Sequence, residues 1–320
     1  MKLQARRDQR EFSLHDEPTL FRNAALHSKL VPTMEKQTER LTSVEKSRLG
    51  NLAAAAQDLA AKARVDVLKM ISSAKAAHVG SSLSVIDILA SAYSVYAFEP
   101  STPTPGHSQT RLVFSKGHAA AALYAVLAHK GAFPLSWLER YCANGAELGG
   151  HATHGIPGVE FSSGSLGHGL PYAVGLALMK KRSGQAGKTV VVMSDGELNE
   201  GSNWEALLLA AHHELTSLEI FVDRNRQQSF GDTETTLALE PLDRKFEAFG
   251  WHAAALDGHS HEELCDFMSS QATRARPTVA ICRTVKGKGV SFMEDDTVWH
   301  YRPPNPEELA RALAEQGSTS

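Results

Sequence analysis

The stretch Val190-Val191-Val192-Met193-Ser194-Asp195-Gly196-Glu197 constrains this chain more than any other. An apolar run led by β-branched residues stops at an acid and a glycine. That is the pattern of a strand buried on both faces of a parallel sheet. Open parallel sheets bind ligands beyond the C-terminal ends of their strands. Asp195 is predicted to stand at such an end, where Gly196 lets an anion come close to the backbone. A second strand, Leu218-Glu219-Ile220-Phe221-Val222-Asp223, ends just before Asn225, thirty positions after Asp195. A helical connection of that length returns the chain parallel and sets the two strand ends side by side. Two hard oxygen donors would then face one another. A Mg²⁺ that also holds a phosphate-type ligand asks little more of a protein.

The rest of the chain alternates in the same way. Residues 1–41 are polar, mixed in charge and without periodicity, and are expected to form an extension. The domain is predicted to begin at Thr42, where Thr42-Ser43-Val44-Glu45 fits a capping box ahead of an alanine-rich helix to about Ser73. His78 to Ser84 is predicted as a loop with Ser84 capping the next helix. Proline and glycine at 103–106 mark a further loop. A short strand over 111–114 should feed Ser115-Lys116-Gly117-His118 and a helix over 119–129, with Gly131 as its stop. The glycine-rich stretch 145–169 is long for a connection, and stretches of that length are commonly functional. It carries His151, His154 and His168. Helices are predicted over 167–182, 199–213, 241–249, 261–274 and from Asn305, with strands over 251–256 and 278–284. The glycines at 167, 169 and 175 would let another helix approach closely, as at a subunit contact. The expected fold is α/β, a three-layer α/β/α domain over 42–320 with a mainly parallel sheet.

Composition narrows the function. A chain of 320 residues with 42% hydrophobic and 22% charged residues buries a real core. A net charge of −3 supplies no basic footprint, so no nucleic-acid partner is expected. Cys142, Cys265 and Cys282 have no CxxC spacing, which suits a reducing compartment. The charged N-terminus lacks a signal-peptide core, and no run reaches the roughly 18 apolar residues of a membrane span. A cytoplasmic protein without membrane contact is the expectation.

Asp195-Gly196 with Asn225 resembles the thiamine-diphosphate motif, in which an Asp and an Asn hold Mg²⁺ against the diphosphate. The longer run Ser194-Asp195-Gly196-Glu197-Leu198-Asn199-Glu200-Gly201, with Trp204-Glu205-Ala206, is similar to transketolases. It is closer still to the separately encoded N-terminal half of split transketolases. Ser115-Lys116-Gly117-His118-Ala119, Ser163-Gly164-Ser165-Leu166-Gly167 and Lys286-Gly287-Lys288-Gly289 extend the resemblance over about residues 50 to 300. The resemblance implies the thiamine-diphosphate-binding fold and the cofactors thiamine diphosphate and Mg²⁺. It makes Asp195, Asn225 and the carbonyl of Gln227 metal ligands. His118, Gly196 and Glu197, together with Asn225 and His300, would meet the cofactor, and the backbone at Gly164 and Leu166 would hold its aminopyrimidine. His78, His151 and His300 would bind donor hydroxyls and move protons. Glu200, with Glu205, would link paired sites across a subunit interface. His154, His212 and His213 match no family position.

The chain departs from the family in four places. Ser194 stands for Gly, Val79 for the Pro after His78, and His168 for Gln, while Arg302 and two prolines interrupt the Trp-His-Gly continuation. A complete transketolase is about twice as long. The missing half is therefore expected from a separate C-terminal subunit of similar size in a heterotetramer, with self-association through this domain and a small-molecule sugar substrate. The implied activity is transfer of a two-carbon ketol unit from a ketose to an acceptor. Two alternatives stay open: transfer to an unusual or carrier-bound acceptor in a specialised pathway, and a non-catalytic scaffold. The Lys-Gly-Lys-Gly and Trp-His segments favour transketolase over a 2-oxo acid dehydrogenase subunit.

Overall fold

The computed structural model describes residues 42–96, 98, 110–270 and 275–317. The expected extension over 1–41 and the loop at 103–106 lie outside them. Strands β1 (Arg111–Phe114), β2 (Thr189–Ser194), β3 (Leu218–Arg224), β4 (His252–Asp257) and β5 (Thr278–Arg283) form one parallel sheet. Their order is β1-β2-β3-β5-β4. Pairing runs from Thr189↔Leu218 to Ser194↔Asp223, so β2 and β3 end level with one another. Both are buried along their whole length, as the apolar runs 190–193 and 220–222 at their centres require.

Alternation along the strands divides the core into two layers. Val190, Val192, Phe221 and Ala280 face α1 (Ser43–Ala74), α2 (Val79–Val95), α3 (Ala120–His129) and α8 (His261–Ser269). Val191, Met193, Ile220 and Val222 face α4 (Gly169–Ser183), α5 (Gly201–His212) and α7 (Leu242–Ala248). The short α6 (Thr233–Leu237) precedes α7, and α9 (Pro306–Gly317) closes the described chain. The three-layer architecture expected from sequence is the one observed. No helix among the described residues is long and apolar enough to cross a membrane.

The capping box at the start of α1 forms: Thr42 N–H donates to Glu45 at 2.8 Å, and Glu45 N–H to the Thr42 hydroxyl at 3.3 Å. Two of the boundaries that differ from expectation bear on the site. Ser84 caps nothing. Helix α2 runs back to Val79, with His78 at its cap position in the left-handed region (φ 75°), and the buried Ser84 hydroxyl donates to Asp223 at 2.6 Å. A hydroxyl facing a buried carboxylate is better satisfied there than at a helix end. Helix α4 starts at Gly169, because Gly167 is left-handed (φ 85°); a Cβ on Gly167 would sit 2.6 Å from Glu200 Cβ.

Trp251 leads into β4, is fully buried, and its indole N–H donates to the Leu207 carbonyl at 3.0 Å. Trp251→Ala is expected to cost about 3–5 kcal/mol, measured by equilibrium denaturation.

Candidate active site

Four of the five strands deliver polar residues to one corner. At the end of β2, Asp195 N–H donates to Asp223 O across the sheet at 3.3 Å. One carboxylate oxygen of the buried Asp195 accepts from Gly196 N–H at 2.7 Å. The other accepts from the Arg224 guanidinium at 3.0 Å and from Arg226 N–H at 2.7 Å. The residues on both sides of Asn225 therefore grip Asp195. Arg226 is left-handed (φ 64°), the turn that aims its N–H inward. Asn225 is buried; its Oδ1 accepts from Gln227 N–H at 3.0 Å, and its amide donates to Ser84 at 3.2 Å. Burial pushes the Asp195 carboxyl up, against the pull of Arg224.

Two lysines are buried beside this corner. Lys116, just past β1, donates to Ser81 O at 2.8 Å and Ser84 Oγ at 3.1 Å, and pairs with Asp223. Asp223 also accepts from Ser84 and Thr284. Lys286, just past β5, donates to the carbonyls of Gln228 at 3.0 Å and Gln227 at 3.4 Å. Among the described residues no carboxylate lies within ion-pair distance of it. Burial, reinforced by Lys116, lowers its ammonium to about 8.

Histidine rings close the cluster. The His78 ring centroid lies 4.8 Å from His300, 5.4 Å from His118 and 5.9 Å from His151. His78 N–H donates to His300 O at 2.8 Å, which locks the two segments together. Burial, then the neighbouring His151 and lysines, lowers His78 to about 4. Burial and Lys286 lower His300 to about 3, and burial and Lys116 hold His118 well below the usual histidine range. At neutral pH these three imidazoles are uncharged, able to accept or relay protons.

The structure brings Asp195, Gly196, Asn225, His78, His118 and His300 together. His151 joins from its long loop, and a Cβ on Gly164 would meet its ring at 3.4 Å, so Gly164 lies beside it. Glu197 is buried behind the corner. Ser115 donates to one of its carboxylate oxygens, and Gly167 N–H donates to the same oxygen at 2.9 Å. The other oxygen has no side-chain partner among the described residues. Burial raises Glu197 to about 7. Glu200 and Glu205 are exposed around the start of α5, with Glu200 against Gly167. Leu166 is half-buried. Sequence reasoning gave no role to Lys116, Lys286, Asp223 or Arg224. Both lysines lay inside quoted motifs, and an acid two residues before Asn225 was the available signal for Asp223.

Residues 55–318 match the family described as transketolase, thiamine diphosphate binding domain. The chain belongs to the transketolase family. It is 41% identical over 239 residues to one subunit of the apulose-4-phosphate transketolase of Actinobacillus succinogenes, covering 74% of this chain and 87% of that one. It is 38% identical to a 6-deoxy-6-sulfo-D-fructose transketolase subunit of Clostridium sp., covering 74% and 87%. Human transketolase is 34% identical over 264 residues, which is 82% of this chain but 41% of the human one. The solved Campylobacter jejuni transketolase superposes with a TM-score of 0.75 at 28% identity, over 82% of this chain and 43% of that chain. This transketolase-type chain is thus a transferase subunit carrying the diphosphate-binding domain.

Because the folded chain depresses His78 and His300, the unfolded chain binds more protons between about pH 6.5 and pH 4. Stability is therefore present above the ordinary histidine range and lost as pH falls through that window. His78→Gln is expected to flatten this slope, read from denaturation midpoints at several pH values.

Proposed function

We propose that this subunit holds thiamine diphosphate through a Mg²⁺ set between Asp195, Asn225 and the Gln227 carbonyl. We further propose that it transfers two-carbon ketol units only with a separate C-terminal subunit of similar size. The observation that carries the reading is Lys286: a buried ammonium that meets only carbonyls, beside three uncharged imidazoles and Lys116, suits a multiply charged anion. Among the described residues no three His, Cys, Asp or Glu side chains are grouped to hold a metal. The corner offers one carboxylate, one amide oxygen and one carbonyl instead. Such an all-oxygen set suits a Mg²⁺ that takes its remaining ligands from phosphate and water.

Bound thiamine diphosphate supplies the nucleophilic carbon and the electron sink for cleaving a ketose. The chain's own residues would do the rest. Lys286 and His118 would bind diphosphate oxygens lying against the Gly196 backbone, and the buried wall of α2 would exclude water. His78 and His300, uncharged near pH 7, would join His151 in holding the donor's hydroxyls and passing protons at their ring nitrogens. Gly164 and Leu166 offer backbone to the aminopyrimidine. Glu197, buried behind Gly196, supports that turn. Tyr172 and Met179 on α4, beside the open Gly175, are exposed, as are Leu208 and Leu209 on α5. Apolar side chains in that arrangement support self-association there, with Glu200 and Glu205 at the join, and hence a heterotetramer. Three free cysteines support a reducing, cytoplasmic setting.

The relatives named for apulose 4-phosphate and for 6-deoxy-6-sulfo-D-fructose favour a specialised sugar as the substrate over a carrier-bound acceptor. Two measurements test the whole. Asp195→Ala in the complex with the partner subunit is expected to abolish Mg²⁺-dependent thiamine diphosphate binding in a titration; unchanged affinity would favour the scaffold alternative. The purified chain alone is expected to show negligible ketol transfer, restored on adding the partner. Robust activity without it refutes the two-component reading.

A further inference from the structure

Behind the active corner, and sharing no side chain with it, lies a second buried network. Its hub is Asp87, on the buried side of α2. Arg64 from α1 donates to both of its oxygens at 3.0 Å, His259 Nδ1 lies 2.7 Å from it, and His261 Nε2 lies 3.4 Å away. Against the effect of burial, Arg64 and the histidines hold this carboxyl well below its usual range. The far side of His259 sets its tautomer. Val285 N–H donates to His259 Nε2 at 2.8 Å, so Nε2 carries no proton and Nδ1–H donates to Asp87.

Val285 immediately precedes Lys286. The segment it begins is held from three sides. Gly287 N–H donates to Gly80 O at 3.0 Å, and a Cβ on Gly289 would strike Arg64 Cδ at 2.9 Å. Gly258, next to His259, donates to Arg283 O at 2.7 Å, and a Cβ there would lie 2.4 Å from Thr284. The Asp87 hub reaches the 285–289 segment through Arg64 and His259. Of these two, His259 hydrogen-bonds the residue adjoining Lys286.

We infer that His259 is a positioning residue for the cofactor site: anchored by Asp87 and Arg64, it orients Val285 and so aims the Lys286 ammonium at the diphosphate. The inference rests on the proposed reading of the corner as a diphosphate cradle. A merely structural histidine would tie α2 to the sheet, and its bond to Asp87 would matter most. A positioning histidine acts through the acceptor it presents to Val285.

The two atoms can be separated. His259→Asn keeps a donor near the Nδ1 position and loses the acceptor; His259→Gln keeps an acceptor near Nε2 and loses the donor. The assay is titration of thiamine diphosphate with Mg²⁺ into the complex with the partner subunit, followed by intrinsic fluorescence or calorimetry, with Lys286→Ala as reference. H259N is expected to weaken binding about tenfold or more, the scale on which an orienting hydrogen bond acts, while H259Q stays near wild type. H259N combined with K286A is expected to be no weaker than K286A alone. If K286A weakens binding but H259N does not, or H259Q falls as far as H259N, or the two losses multiply, the inference is overturned. If K286A has no effect, the cradle reading itself fails and takes the inference with it. Should H259N not assemble, H259Q decides: affinity close to wild type supports the role of the acceptor, and a tenfold loss rejects it.

Discussion

Lys116 and Asp223 meet inside the protein at the mouth of the sheet, and the site is hung on that pair. Such a pair costs desolvation on both sides and is retained only when further hydrogen bonds satisfy it. Here Ser81 and Ser84 of α2 bond Lys116, while Ser84 and Thr284 bond Asp223. One interaction therefore fixes four segments. Two residues beyond Lys116 is His118; two beyond Asp223 is Asn225; two beyond Thr284 is Lys286. Just ahead of α2 stands His78. Removing one partner of a buried pair generally costs about 3–5 kcal/mol, and here it would also loosen the segments that carry His78, His118, Asn225 and Lys286.

That geometry explains why uncharged imidazoles and a weakened ammonium coexist in one small volume. Burial disfavours the charged form of each, and two nearby cations disfavour further positive charge. The imidazoles stay uncharged, whereas the Lys286 ammonium, still largely charged at neutral pH, meets only backbone carbonyls. The strain is local too. His78 and Arg226 are both left-handed without being glycine, and both present backbone groups to the site.

Much of this was legible in the sequence because the fold is ruled by short, regular patterns. The apolar runs ending at Ser194 and Asp223 gave both central strands, their parallel pairing and the level ends that bring Asp195 to Asn225. The same patterns hid what depends on long-range contacts. Ser84 looked like a helix cap because its partner, Asp223, lies 139 residues away. Lys286 sits in a loop with no periodicity, so nothing local marked it as buried. Asp87 and His259 are 172 residues apart, and only the packing of α2 on the sheet shows that they touch.

The proposed site depends on one ion joining Asp195 to Asn225. A crystal structure of the complex with the partner subunit, thiamine diphosphate and Mn²⁺ in place of Mg²⁺ would locate that ion by anomalous scattering. The expected result is a single peak about 2.1 Å from the Asp195 carboxylate, the Asn225 amide oxygen and the Gln227 carbonyl, with the diphosphate in contact with Lys286 and His118. An ion bound elsewhere, or a diphosphate out of reach of those two side chains, would contradict it.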